Sequence, residues 1–356
     1  MENNVNWLQL FAEAGTTVNT TTGTVNAATG ETASNGGMSA ELKTFYDTEL
    51  LENARVEMIY AQFAKRQPLP QGRGTTVEWR KWNTFAKAEE LVEGVIPNGQ
   101  KFGMSAVTGA INQYGTYAAV SDKLEMHAYD DIILGATEEM GASAAETQET
   151  LIRDALLENT NVMYCDNVNK NGVVVDTPTD PGSMLWDQQG NCILTPDMVA
   201  KAVTKLKKDK VPTIGGKYVA VIHPSVAYDL RKSDAWVEAH KYAAPGEIYN
   251  GEIGELHGCR FVENVFAPVL GDEYANSLDQ VTYATYMFGK DAFGIIDPEG
   301  GALEMIVKDK SQIGGPLNQF STIGYKLETN GATILYPERV LRIMSCSSFG
   351  NVDVPN

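Results

Sequence analysis

Cysteine is scarce and scattered: Cys165, Cys192, Cys259 and Cys346 are the only four in 356 residues. None sits in a CxxC pair or at metal-ligand spacing from a histidine, which argues against a zinc site. Scattered thiols in a chain this long point to a reducing compartment. Histidine is as rare, and His127, His223, His240 and His257 stand isolated. HExxH and GxSxG are missing altogether. Gly215-Gly216-Lys217 comes nearest to a phosphate loop, but Val211 occupies the place of the first glycine. Tyr218 replaces the Ser or Thr that would hold magnesium. That segment reads as a turn before a strand, and Gly251, Gly254 and Gly258 lack the dinucleotide spacing. Basic residues are outnumbered 28 to 46, for a net charge of −18. This excludes a broad basic surface that grips nucleic acid, though not a container that holds it loosely. No stretch nears the roughly 20 apolar residues of a membrane span. The opening MENNVNWLQLFAEAG lacks the basic start of a signal peptide. The expectation is a cytoplasm-made protein with no membrane, no cofactor and no metal.

What is there is globular: 43% hydrophobic and 21% charged residues, in a chain long enough for two domains. The most organised stretch is a proline-free helical run over 129–164. Ile133, Ala136, Met140, Ala144, Thr147, Leu151 and Ala155 recur at helix-face spacing. Glu138, Glu139, Glu146, Glu149, Asp154 and Glu158 are assigned to the opposite, solvated face, with Arg153 the only base. The small residues on the stripe let a sheet or second helix approach closely. Such a run is either a structural spine or the core helix of an α+β enzyme.

The order of elements around it is as follows. Residues 15–37 are Thr/Asn/Gly/Ala-rich and bury too little to offset their ordering entropy, so 1–38 reads as a disordered or extended arm. Its Trp7-Leu8-Gln9-Leu10-Phe11 cluster is either a tethered docking peptide or a frayed end. Ser39 caps a helix expected to reach about Arg66, stopped by Pro68 and Pro70. Thr75–Trp79 alternates as a strand, Pro97-Asn98-Gly99 signals a turn, and 105–121 reads as a second strand, bent at Gly109 and Gly115. This long two-stranded excursion is marginal alone and makes better sense lying on another subunit. A polar connection covers 167–191. Thr195-Pro196 then opens a helix with lysines in its last turn. Strand, short helix and further strands follow: Tyr218–Ile222, 224–233, Arg260–Glu263, Thr282–Phe288, Phe293–Ile296, Leu303–Val307, Ala332–Tyr336 and Arg339–Met344. The fold class is α+β.

Candidate site residues are few. His223 ends an apolar strand; it is either a general base or a satisfied strand-end residue. Trp79, Trp82 and Phe85 beside Arg80 and Lys81 could stack on bases. At hairpin spacing they fit a protein interface better, since tryptophan and arginine are enriched there.

Four stretches are distinctive: NWLQLFAE at the start, MSAELKTFYDTELLENA with FAKRQPLPQGRGTTVEWRKW, GELHGCRFVENVFAP, and PLNQFSTIGYKLETNGATILYPERVLRI. They resemble the major capsid proteins of tailed bacteriophages, in the Hong Kong phage capsid fold shared with herpesvirus shells. More narrowly, they resemble the family named after the coliphage N-four. The resemblance implies an N-terminal arm (1–38), an N-arm helix (39–68), an E-loop hairpin (69–121), a peripheral domain with the spine helix (122–195 and 331–356) and an axial domain (196–330). It implies roles rather than a site, and no enzymatic activity; the candidate inter-subunit contacts are Phe45, Tyr46, Trp79, Arg80, Lys81 and Trp82. The implied partners are copies of the chain in hexameric and pentameric capsomers, plus portal, scaffolding and decoration proteins. The icosahedral head would be assembled in the host bacterial cytoplasm and enclose double-stranded DNA without sequence-specific binding. Lys87 and Lys101 lie in the hairpin but match no cross-linking motif. Two other readings stay open: an encapsulin-type bacterial compartment, and a cytoplasmic hydrolase using His223.

Overall fold

The computed structural model describes two short strands at 17–20 and 23–26 and residues 58–83, 85–88, 90, 99–127, 132–169, 172–186, 191–240, 252–271, 281–299, 303–308, 310–313, 319–349, 353 and 355–356. The expected helix over 39–57 and the Trp7–Phe11 cluster lie outside the described residues.

The strands begin with β1 (Thr17–Thr20), β2 (Gly23–Asn26), β3 (Lys65–Leu69), β4 (Thr76–Trp82), β5 (Met104–Ala110) and β6 (Asn112–Ser121). Helices α1 (Asp122–His127) and α2 (Ile132–Leu157) follow, then β7 (Val162–Tyr164), β8 (Asn167–Val168), β9 (Val174–Asp176) and α3 (Pro196–Lys208). Next come β10 (Tyr218–Ile222), α4 (Pro224–Lys232), α5 (Asp234–His240), β11 (Glu252–Leu256), β12 (Cys259–Glu263), β13 (Val269–Leu270) and β14 (Thr282–Phe288). The chain closes with β15 (Phe293–Pro298), β16 (Leu303–Lys308), β17 (Phe320–Thr329), β18 (Thr333–Ile334) and β19 (Val340–Ser345). It divides into two compact units: 1–62 with 112–152 and 297–329, and 63–111 with 153–296 and 330–356.

The first unit is a sheet of order β16-β17-β6-β1-β2. Its backbone is a ten-residue antiparallel ladder between β6 and β17, from Ser121 opposite Phe320 to Asn112 opposite Thr329. Val120, Met305, Ile323, Tyr325 and Leu327 pack with Ala144, and with Ala136 and Met140, of α2. This is the expected apolar stripe, whose alanines bring the helix axis close to the sheet. The Tyr325 hydroxyl lies 3.2 Å from both Ser143 Oγ and Thr147 Oγ1, so its polar end is satisfied against α2.

The second unit is built on the order β11-β12-β10-β14-β19-β7, with β13 beside β14. All five residues of β10 and all seven of β14 are buried. The unbroken apolar run of β10, and the burial of every β14 residue including Thr282 and Thr285, are those of central strands covered on both faces. Helix α3 starts as its sequence dictates: the Thr195 hydroxyl accepts from Met198 N at 3.3 Å, Pro196 stands at the first position, and Lys205, Lys207 and Lys208 end it. Val199, Ala202, Val203 and Leu206 form its buried face. Two tight turns match the local sequence. Gly215 and Gly216 both have positive φ between paired Ile214 and Lys217, so the would-be phosphate loop is a two-residue turn. His257 (φ 51°) and Gly258 (φ 82°) likewise join β11 to β12.

Four local expectations are corrected. The long helix ends at Leu157 rather than Tyr164. Asn159 and Asn161 there give their side-chain amides to Val340 O, at 2.6 and 3.0 Å. The chain then enters β7, parallel to β19. Glu149 and Arg153, assigned to the solvated face, are buried. Residues 60–66 are not α-helical. The Tyr60 N–H, which a helix would direct to a backbone carbonyl, donates to Glu149 Oε1 at 3.0 Å, and a short 3₁₀ turn and β3 follow. The run 105–121 is two strands, not one. The chain breaks at Ile111, whose N–H donates to Thr75 O at 2.8 Å. Strand β5 stays with β4, while β6 joins β17.

Candidate inter-subunit surface

Strands β4 and β5 form a hairpin in register from Thr76 opposite Ala110 to Trp82 opposite Met104. Period-two alternation gives it two different faces. Val77, Trp79 and Lys81 point one way and are half-buried; Glu78, Arg80 and Trp82 point the other way and are exposed.

The half-buried face fixes the hairpin to its own unit. The Trp79 indole fills a slot that two glycines leave open. A Cβ on Gly109 would lie 2.8 Å from the ring, and one on Gly294, in β15, 3.0 Å from it. The Lys81 ammonium stands 4.8 Å from the centre of the Tyr336 ring, and the Arg339 guanidinium 3.7 Å. These two cations and one ring make a cation–π stack.

The exposed face carries a short ion pair, Arg80 Nε to Glu78 Oε1 at 2.7 Å, which is worth little in water. Beyond it Trp82 and Phe102 stack at 4.2 Å between ring centres, and Phe85 lies on Phe102 at 5.6 Å. They are 63%, 64% and 53% exposed respectively, with Met104 exposed beside them. The arms carrying these rings are tied together. Asn83 N donates to Gly103 O at 2.9 Å, Ser105 Oγ donates to Asn83 Oδ1 at 3.2 Å, and Ala86 N donates to Gln100 Oε1 at 2.8 Å. The aromatic group is therefore a preformed knob rather than a set of loose side chains. Of the expected interface residues, Arg80 and Trp82 face outward and Trp79 and Lys81 face inward. Phe45 and Tyr46 lie outside the described residues. Phe102 and Met104 gave no sequence signal of their own; only pairing register places them beside Trp82.

A second exposed feature lies on the face of the first unit's sheet turned away from α2. Gly115, Tyr117, Ile306, Lys308, Gly324 and Lys326 help line an open trough of about 570 Å³. A Cβ on Gly324 would sit 2.7 Å from Thr116 O, and one on Gly115 2.6 Å from Tyr325 O. Both positions therefore demand glycine, which leaves the trough floor low.

His223 belongs to neither feature. Its Nδ1 accepts the Ser225 N–H at 3.2 Å and caps α4. Asp353 brings a carboxylate within 3.9 Å, so the residue types of a hydrolytic triad are present. Their connections differ from one. Ser225 Oγ donates to Asp353 at 2.5 Å, and Tyr283 OH donates to the same oxygen at 2.6 Å. In a triad the imidazole bridges serine and carboxylate; here the carboxylate bridges two hydroxyls. The group works as a clasp on the C-terminal segment, joined by Asp229, which accepts from Ser348 N at 2.8 Å. Burial holds the His223 pKa below the ordinary imidazole value, and Asp353 offsets this only in part. Burial also acts to raise Asp353, but hydrogen bonds from Ser225 and Tyr283 outweigh it and leave the carboxyl below its ordinary value. Among the described residues no group of acids, histidines and cysteines is arranged to hold a metal.

Comparison with known proteins places this geometry. A family model described as phage capsid protein matches residues 105–337. No curated protein matches significantly. Among solved structures, the capsid of the cyanophage P-SCSP1u is 15% identical, with 82% of this chain and 89% of that chain covered and a TM-score of 0.57. The capsid of Helicobacter pylori bacteriophage KHP30 is 11% identical, covering 82% and 92%, at 0.60. The SrpI encapsulin of Synechococcus elongatus PCC 7942 is 10% identical, covering 83% and 90%, at 0.50. The architecture is thus that of the shell-forming proteins with the Hong Kong phage capsid fold. Within that class the chain belongs to the phage capsid protein family, and its function is that of a major capsid protein of a tailed phage. It is a structural component of the virion, and the encapsulin alternative is the weaker one.

Proposed function

We propose that copies of this chain join into hexameric and pentameric capsomers through the β4–β5 hairpin. The Trp82–Phe85–Phe102 knob of one copy would be covered by its neighbour. The observation that supports this is the contrast between the two faces. The hairpin is anchored by Trp79 and Lys81, yet holds three stacked rings in water more than half exposed. An exposed apolar group held rigidly marks a contact site. The trough beside Tyr117 and Gly324, in the other unit of a second copy, is the proposed acceptor, since its glycine floor leaves room for flat rings.

Residues 196–330, with β10 and β14, are read as the axial domain around capsomer centres, and 122–195 with 331–356, including α2 and β19, as the peripheral domain. Closed shells enclose double-stranded DNA. The net charge of −18 suits a wall that repels phosphate rather than condensing it. A separate scaffolding protein, a portal and decoration proteins complete the partners, with assembly in the host cytoplasm.

The test is expression of the full chain alone and with its neighbouring genes, followed by size exclusion and electron microscopy. Rings or closed shells support the reading. A monomer in both settings overturns it and returns attention to the His223 clasp.

A further inference from the structure

Three of the four cysteines converge in the second unit. Cys192 follows the 167–191 connection, Cys346 follows β19, and Cys165 follows β7. None is in a disulfide, and all are fully buried. Cys346 N donates to Cys192 O at 2.9 Å, and Ile193 and Cys346 form a parallel bridge, so the two backbones are neighbours. Their sulfurs are 2.9 Å apart. Ordinary contact between non-bonded heavy atoms is about 3.5–4 Å, and a disulfide is about 2 Å. Cys165 is tied in at Met344, its N–H donating to Met344 O at 2.9 Å. The Cys346 pKa is raised chiefly by its hydrogen bond with Cys192 and by burial, with Cys165 adding least. Cys259 lies on β12 in the same core, with its Sγ 3.8 Å from Arg260 O.

We propose that Cys192 and Cys346 are a redox site. The pair stays reduced in the cytoplasm and closes to a disulfide under oxidising conditions, fastening the end of β19 to the segment that leads into α3. The oxidant is a small disulfide such as oxidised glutathione. One cysteine thiolate attacks a glutathione sulfur and expels one glutathione thiolate, leaving a mixed disulfide. The second cysteine thiolate attacks the protein sulfur of that bond and expels the other. The two cysteines lose two electrons and two protons, and two glutathione thiols are formed. The hydrogen bond shared by the two thiols lowers the Cys192 pKa against the opposing effect of burial. Burial pushes Cys165 and Cys259 the other way. The crosslink would close a loop of more than 150 residues, where the gain from restricting the unfolded chain is large. This inference does not depend on the assembly reading.

The test uses purified full-length protein treated with oxidised glutathione or diamide, in buffer and in sub-denaturing urea. Thiols are then alkylated under denaturing conditions and the peptides mapped by mass spectrometry. The expected result is loss of two of four alkylatable thiols and one crosslinked species joining the Cys192 and Cys346 peptides. Cys165→Ser leaves that species unchanged; Cys192→Ser and Cys346→Ser each abolish it. The oxidised protein should melt about 3 °C or more above the reduced form. Four free thiols under every condition, a bond to Cys165 or Cys259, or stable glutathione adducts without the crosslink would overturn the site. A crosslink without a rise in Tm would overturn the fastening role.

Discussion

Trp82→Ala separates the two faces of the hairpin. Trp82 is 63% exposed, so most of its side chain has no cover in the single chain. An aromatic side chain of this size buries about 150–250 Å² when enclosed. Docking would therefore remove roughly 120 Å² from water. At about 25 cal/mol per Å² that is ~3 kcal/mol per contact, inside the range of interface hot spots. The stack on Phe102 at 4.2 Å is lost in the free and docked chain alike and largely cancels. Three kcal/mol is about a hundredfold in an association constant. The variant should thus need on the order of a hundredfold higher concentration to form shells or rings. Its own unfolding free energy should shift by no more than about 0.5 kcal/mol, as for an exposed site. Light scattering across a concentration series reads the first quantity and urea denaturation of the unassembled chain the second. Assembly at the parental concentration would show that the knob is not a contact.

Trp79→Ala should do the reverse, costing about 2 kcal/mol in urea denaturation by emptying the slot at Gly109 and Gly294, while Trp79→Phe keeps most of the filling. Gly109→Val should mimic the loss, because its side chain would meet both the Trp79 ring and Thr333 Oγ1. Glu149→Leu should cost about 1–3 kcal/mol by stranding the Tyr60 N–H, and Glu149→Gln, which keeps an acceptor, clearly less. The clasp sets a pH dependence. The His223 pKa is lowered by folding, so below its unfolded value of about 6.5 the unfolded chain binds the extra proton and stability falls. The lowered Asp353 pKa adds a second loss, beginning as pH falls past about 3.9. His223→Asn keeps a capping acceptor and should flatten the decline of Tm between pH 7 and 5 while leaving the acid limb. An unchanged upper limb would assign it to another group.

Local signals were read where local chemistry controls the outcome. The Thr195 cap, Pro196 and terminal lysines specify α3 without help from the rest of the chain. Gly215-Gly216 makes a turn because two successive positive φ angles are cheap only for glycine. The uninterrupted apolar run of β10 announces a buried strand, and the Ala136–Met140–Ala144 stripe announces a helix that meets a sheet closely. The residues that misled did so through distant partners. Glu149 looks solvated until Tyr60, 89 positions earlier, supplies its N–H. The helix expected to reach Tyr164 stops at Leu157 because β19, about 180 positions later, offers a strand edge and Val340 O.

By itself, then, the sequence determined the class of molecule: an acidic α+β chain without catalytic signatures, carrying a long helix and a hairpin too long to stand alone, with segments resembling tailed-phage capsid proteins. The tertiary structure alone decided which side of that hairpin is buried. Alternation along β4 says only that Trp79 and Trp82 point oppositely. The slot left by Gly109 and Gly294 makes Trp79 the anchor, and cross-strand register brings Phe102 and Met104 beside Trp82. A two-residue period can divide side chains between faces, but which face meets water depends on what the rest of the chain places against it.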